Sequence, residues 1–137
     1  MEIERPEIVQ LFFSALISPN DTEPLSPFLS QRVEWILSAA DPQTSGEESP
    51  SNAIKFSGKD GFRELALYLR DSLRVISGDL TGCITNHQLV FAFGRVRLRT
   101  PGMDRPAETN IAAKITFRGS TIIKGQIRIS WPLVFEL

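Results

Sequence analysis

The spacing of apolar residues changes period partway along the chain, from intervals of three and four to strict alternation. In RPEIVQLFFSALI, Val9, Phe12, Phe13 and Leu16 share one helical face and Pro6 suits the first turn, so a helix is predicted over 6–17, ending at SPND. A second, short helix is expected around EPLSPFLS, where Leu25, Phe28 and Leu29 fall on one side. RVEWILSAADP then switches to a period of two: Val33, Trp35 and Leu37 alternate with Glu34 and Ile36, the signature of a strand. The run over 39–52 is rich in Ser, Pro, Gly and Glu and is expected to be a mobile, solvated loop.

Beyond that loop, KFSGKDGFRELALYLRDSLRVISG places Phe62, Leu65, Ala66, Leu69, Leu73 and Ile76 at helical intervals. This predicts a long helix over 60–76, with Gly78 placed to end it. The remainder alternates. LTGCIT, QLVFAFGRVRLRT, NIAAKITFRG and TIIKGQIRISW predict four strands joined by turns at NH and GS and by the longer loop PGMDRPAE. Helices followed by a run of strands argue for an α+β fold with an antiparallel sheet of about six strands. No internal repeat is present.

At 137 residues and 42% apolar content the chain suits one domain, 1–137, with a single core. No stretch approaches the roughly 20 apolar residues of a membrane span, and the acidic start MEIERPE lacks the basic and apolar parts of an export signal. Together with the lone Cys83, this leads us to expect a cytoplasmic protein with no membrane partner. Charge is uneven: nine acidic and two basic residues up to Ile54, then seven acidic and thirteen basic. The later arginines are spread over several elements, which fits a solvated surface and does not suggest nucleic acid. One histidine and one cysteine leave only carboxylates to build a metal site, and FSGKDG lacks the spacing of a nucleotide-binding turn, so no metal or cofactor is expected. His87 reads as an exposed turn residue, and Cys83 as a small, buried apolar one.

The helix with FFSAL, the strand VEW, the phrase FSGKDGFRELALYL and the long strands after it resemble the SnoaL-like branch of the ketosteroid isomerase and nuclear-transport-factor-like superfamily. The resemblance covers almost the whole chain. It implies a cone in which a curved sheet wraps a long helix around an apolar pocket, and it implies a homodimer. Superfamily members include isomerases, polyketide cyclases, dehydratases, epoxide hydrolases and non-catalytic binding domains. In ketosteroid isomerases the proton-shuttling carboxylate stands in a VED context; here the resemblance puts Trp35 at that place, and an indole takes no proton. The carbonyl-polarising tyrosine and acid are matched by Phe12 or Phe13 and by Ala113. Glu34 points away from Trp35 if the strand is regular, and Asp41, next to Pro42, belongs to the loop.

What remains is an apolar lining. Phe12, Leu16, Trp35, Phe62, Leu69, Ala113, Ile115, Phe117, Ile127, Ile129 and Trp131 are expected inside the cone, with Tyr68, Asn110 and Thr85 as candidate polar groups. Strand VFAFGRVRLR puts Val90, Ala92, Val96 and Leu98 on one face and Phe91, Phe93, Arg95, Arg97 and Arg99 on the other. For the second face three readings stand: a solvated surface, a homodimer contact, or a bulge that turns an arginine inward to hold a carboxylate. Two functions stay open: a SnoaL-like protein binding a small apolar molecule without isomerase-type catalysis, or an isomerase, cyclase or dehydratase with an atypical acid or base.

Overall fold

Pro6 sits in the first turn of helix α1, Arg5–Ile17, and fixes the backbone where a missing amide hydrogen costs nothing. The computed structural model describes residues 4–18, 22–39, 53–72, 74–99, 106–129 and 134–135. A 3-10 turn at Ser26–Phe28 leads into strand β1, Leu29–Ala39; β2 is Ala53–Ser57 and α2 is Gly58–Asp71. Strands β3 (Val75–Asn86), β4 (Leu89–Leu98), β5 (Ala107–Arg118), β6 (Thr121–Ile129) and the two-residue β7 (Val134–Phe135) complete the chain. The expected loop over 39–52 falls almost entirely outside the described residues, as do Asp41 and Trp131.

The sheet runs β2-β1-β6-β5-β4-β3, with β7 added to β5. Five of its neighbouring pairs, that of β5 with β7 included, are antiparallel, as expected, but β1 lies parallel to β6, so the sheet is mixed and not purely antiparallel. The physical reason is the path of the chain: α2 carries it from β2 at one edge to β3 at the other, antiparallel β4, β5 and β6 then fill inward, and β6 arrives beside β1 in the same direction. Register shifts between Leu80 and Gly82, between Thr116 and Phe117, and between Leu29 and Glu34 interrupt the ladders. Such bulges bend a strand and increase its twist.

Alternation decides which side becomes core. On β1 the buried residues are Leu29, Val33, Trp35 and Leu37; on β4 they are Val90, Ala92, Val96 and Leu98; on β5 they include Ile111, Ala113, Ile115 and Phe117. Both helices pack on that face. α1 contributes Ile8, Val9, Phe12, Phe13, Ala15 and Leu16, and α2 contributes Phe62, Leu65, Ala66 and Leu69.

Two boundaries differ from the sequence expectation. The long helix ends at Asp71, not Ile76, because Arg74 adopts φ 55°, a left-handed conformation that a helix cannot continue through. Ile76 and Gly78 therefore belong to β3. Phe56 and Ser57, expected at the approach to that helix, lie in the short strand β2.

One side chain ties the N-terminus to two turns. Arg5 donates through Nε to the Gly119 carbonyl at 3.0 Å and through Nη1 to the His87 carbonyl, and its guanidinium lies 5.4 Å from the centre of the Phe117 ring. His87 (φ 56°) and Gly119 (φ 62°) occupy the β3–β4 and β5–β6 turns, so Arg5 clasps both hairpins. Charge-assisted bonds of this kind are worth about 1.5–3 kcal/mol each when sheltered and less in solvent. Arg5→Ala is expected to cost about 1–2 kcal/mol in urea denaturation, and Arg5→Lys to recover only part of it, because an ammonium cannot reproduce the planar fork.

Candidate functional site

The interior is built around an aromatic triad delivered by three separate elements. Phe12 from α1 stacks on Trp35 from β1, with centroids 5.5 Å apart and planes 4° from parallel. Phe62 from α2 tilts against both, 4.9 Å from Trp35 and 5.9 Å from Phe12. All three are fully buried, and these separations lie in the range where aromatic pairs attract beyond simple burial. Trp35 pairs with Gly125 on β6, and the indole occupies the space where a side chain at that position would begin: a Cβ built there would collide with Cζ3 and Cε3 of the ring. A large ring needs a residue without one beside it.

The indole N–H of Trp35 is buried and has no hydrogen-bond partner among the described residues. An unmet buried donor costs about 1–3 kcal/mol. Thr109 is the one buried polar side chain among the described residues, and none of their carboxylates is buried. Glu34 is exposed, with Lys124 across from it on β6, so the neighbour of Trp35 faces outward as the alternation requires. Asp71 is held below the usual carboxylate range by its hydrogen bond from Arg70, but this pair is on the surface of α2. No three His, Cys, Asp or Glu side chains converge among the described residues.

Of the expected lining residues, Phe12, Leu16, Trp35, Phe62, Leu69, Ala113, Ile115, Phe117, Ile127 and Ile129 are all buried on the inner face. Trp131 lies outside the described residues. The structure brings Phe12, Trp35 and Phe62 into mutual contact, while Phe12, Leu16 and Ala113 border a narrow crevice with Phe13, Ala92 and Ile111. That crevice has no room for a water molecule. Asn110 and Thr85 are exposed and do not supply polar groups to the interior; Tyr68 is half-buried beside Phe56. Ala113 is buried and Lys114 exposed, so the alanine faces the interior and the lysine faces outward.

Arg95 and Arg99 are exposed and Arg97 is half-buried on the outer side of β4, so no bulge turns an arginine into the core. Two open grooves lie on the outer face and meet at Phe93 and Ala112. The sequence had marked the aromatic and basic residues of this face but not Asp79 and Glu108, which border the larger groove. Their signal lay in cross-strand register, which only pairing reveals.

The element order and mixed, open sheet define the α+β cone of ketosteroid isomerase-like and NTF2-like proteins. A protein of ketosteroid isomerase-like fold from Catenulispora acidiphila, in complex with trimethylamine, superposes with a TM-score of 0.68 at 15% identity, covering 90% of this chain and 85% of that one. An NTF2-like protein from Burkholderia xenovorans gives 0.65 at 19% identity, over 91% and 88% of the two chains. A protein described as a SnoaL-like polyketide cyclase, from Mesorhizobium loti, gives 0.60 at 13% identity, over 91% and 98%. No family model matches the sequence, and no curated protein does. No helix among the described residues is long and apolar enough to cross a membrane.

Proposed function

We propose that this chain is a SnoaL-like, cytoplasmic binding protein that holds a small, mainly apolar molecule bearing one hydrogen-bond acceptor, without the proton transfer of ketosteroid isomerases. The observation that carries this reading is the buried indole N–H of Trp35, which has no acceptor among the described residues and stands at the position where the resemblance implies a catalytic base. Apolar pockets bind through shape and a few placed polar groups, and this N–H is a placed donor. Phe12, Leu16, Trp35, Phe62, Leu69, Ala113, Ile115, Ile129 and Trp131 form the proposed wall. Access requires Phe12 and Phe13 to rotate away from the crevice they close, where Ala92 and Ala113 keep the opposite side shallow. The trimethylamine complex of the Catenulispora protein supports the idea that this fold accepts a small molecule.

A second reading, an isomerase, cyclase or dehydratase with an atypical acid or base, draws on the description of the Mesorhizobium neighbour. Among the described residues its proton carrier would be Thr109 or Tyr68, neither of which is an ordinary base at neutral pH.

Native mass spectrometry of freshly purified protein separates the outcomes. The expected result is a retained small mass, lost from Trp35→Phe, which keeps an aromatic ring but removes the donor. A retained mass unaffected by that substitution, or no retained mass, overturns the reading.

A further inference from the structure

The smaller of the two outer grooves owes its shape to one alanine, visible only when strand register is followed across β4, β5 and β6. Ala112 on β5 pairs with Phe93 on one side and Arg128 on the other. Two residues along β5, Lys114 pairs with Phe91 and Gln126, and Gln126 in turn pairs with Ile36 on β1. Ala112 is the one short side chain in these two rows, so a groove of about 310 Å³ opens above its methyl group. That volume is at the lower end of the ~300–1,000 Å³ range of small-molecule sites. One wall is apolar, made by Phe91, Phe93 and Ile36, and Phe93 is 44% exposed. The other is polar, with Lys114, Gln126 and Arg128, and no carboxylate among the described residues lines the groove. Glu34, two positions from Ile36 on β1, is already opposite Lys124. Asp79 and Glu108 border the neighbouring groove together with Arg95 and Arg97.

We propose that this groove binds a small monocarboxylate with a flat apolar body, an arylalkanoate. The ring settles over the Ala112 methyl with Phe93 beside it, at the ~4.5–7 Å centroid separation that aromatic pairs favour. Its carboxylate points along β5 to the next row, about 6.8 Å away. There the Lys114 ammonium and the Gln126 amide both donate, and a carboxylate only accepts. Lys114 is exposed and makes no ion pair among the described residues, so its charge is available to a ligand. Arg128 has interactions of its own and contributes its positive field.

Other ligand chemistries fit the groove less well. A cation would meet Lys114 and Arg128, which stand on adjacent strands one row apart. A phosphate group calls for several N–H donors, but β5 is laddered on both sides from Ile111 to Thr116, so its backbone donors are already used. An extended peptide docks by adding a strand at a sheet edge, and β5 and β6 are interior strands. A neutral apolar molecule would leave the ammonium without a role. The groove is on the opposite face of the sheet from Trp35, so this inference does not depend on what the interior binds.

Phenylpropionate, its neutral amide and phenethylamine form a matched series for titration of the full chain, followed by amide-resolved NMR. The carboxylate is expected to bind with a Kd of about 0.1–1 mM, weakly because the groove is open to water, and to shift the amides of 91–93, 112–114 and 126–128. It should bind roughly threefold or more tighter than the amide, with the amine weakest, and added salt should reduce its affinity but not the amide's. Lys114→Met keeps the length of the side chain and removes its charge, and is expected to erase the preference for the carboxylate. Ala112→Leu fills the groove and should abolish binding of both; if that variant fails to fold, Lys114→Met, at an exposed position, still decides. Trp35→Phe should change nothing here. The proposal is overturned by the absence of these shifts at several times the expected Kd, by equal or tighter binding of the amide or the amine, or by a carboxylate preference that survives Lys114→Met. Shifts centred on the Trp35 indole N–H would place the ligand inside and overturn it too, as would self-association that buries Phe93 and Ala112, read by sedimentation velocity of the same samples.

Discussion

Trp35→Ala is expected to lower the unfolding free energy by about 3–5 kcal/mol, the range for truncating a large buried aromatic side chain. The magnitude belongs to the upper part of that range for a structural reason. The indole touches Phe12 from one helix and Phe62 from the other while it covers Gly125 on the neighbouring strand, so its removal undoes the packing of both helices on the sheet at once. Glycine cannot fill the space from below, and the stacked Phe12 cannot follow without leaving α1. One term acts the other way: the unmet indole N–H disappears with the ring, returning about 1–3 kcal/mol of desolvation cost. Trp35→Phe separates the two, since it keeps most of the packing and deletes the donor; it should therefore cost much less than the alanine variant. Glu34→Gln, one position along but on the exposed face, should change stability by about 0.5 kcal/mol or less. Urea denaturation of the three variants gives the comparison, and a Trp35→Ala loss below about 1.5 kcal/mol would mean that the triad is not the keystone of the core.

How far this was legible in the sequence can be traced through particular residues. Phe12, Trp35 and Phe62 each recur at the apolar period of their element, as a buried face must, and the resemblance added which side of the sheet that face lines. The strand faces of β4 were legible for the same reason. The end of α2 was not: Leu73 and Ile76 prolong the helical spacing, and the break falls at Arg74, where the left-handed conformation carries none of the glycine signal that usually marks it. β2 was hidden because its five residues are too short to show a period and run into Ser57 and Gly58 at the helix start. The parallel pairing of β1 with β6 joins segments far apart in the chain, and no local pattern records the direction in which two strands meet. Within the site, the sequence named the apolar walls but not the mutual contacts of Phe12, Trp35 and Phe62. Packing density follows from side-chain geometry in three dimensions, which spacing does not specify.

Gly125→Ala tests that packing from the other side. Gly125 does not take a positive φ, so alanine suits its backbone, and the reduced freedom of the unfolded chain would by itself stabilise the protein by about 0.4–1 kcal/mol. The opposing effect is steric: the new methyl would overlap two ring carbons of Trp35, and Phe12 and Phe62 leave the indole no free direction in which to retreat. Overpacking of this kind costs about 1–3 kcal/mol, so the clash wins and net destabilisation is expected. The sign should reverse once the ring is gone. In the Trp35→Ala background the same substitution places its methyl in the space the indole vacated, and it should be neutral or stabilising by up to about 1 kcal/mol. A double-mutant cycle in urea therefore predicts a coupling of about 1.5–3 kcal/mol between the two positions, well beyond the ~0.5 kcal/mol scatter of independent sites. Simple additivity would show that the indole does not rest on Gly125 in solution, and that the triad must be arranged differently.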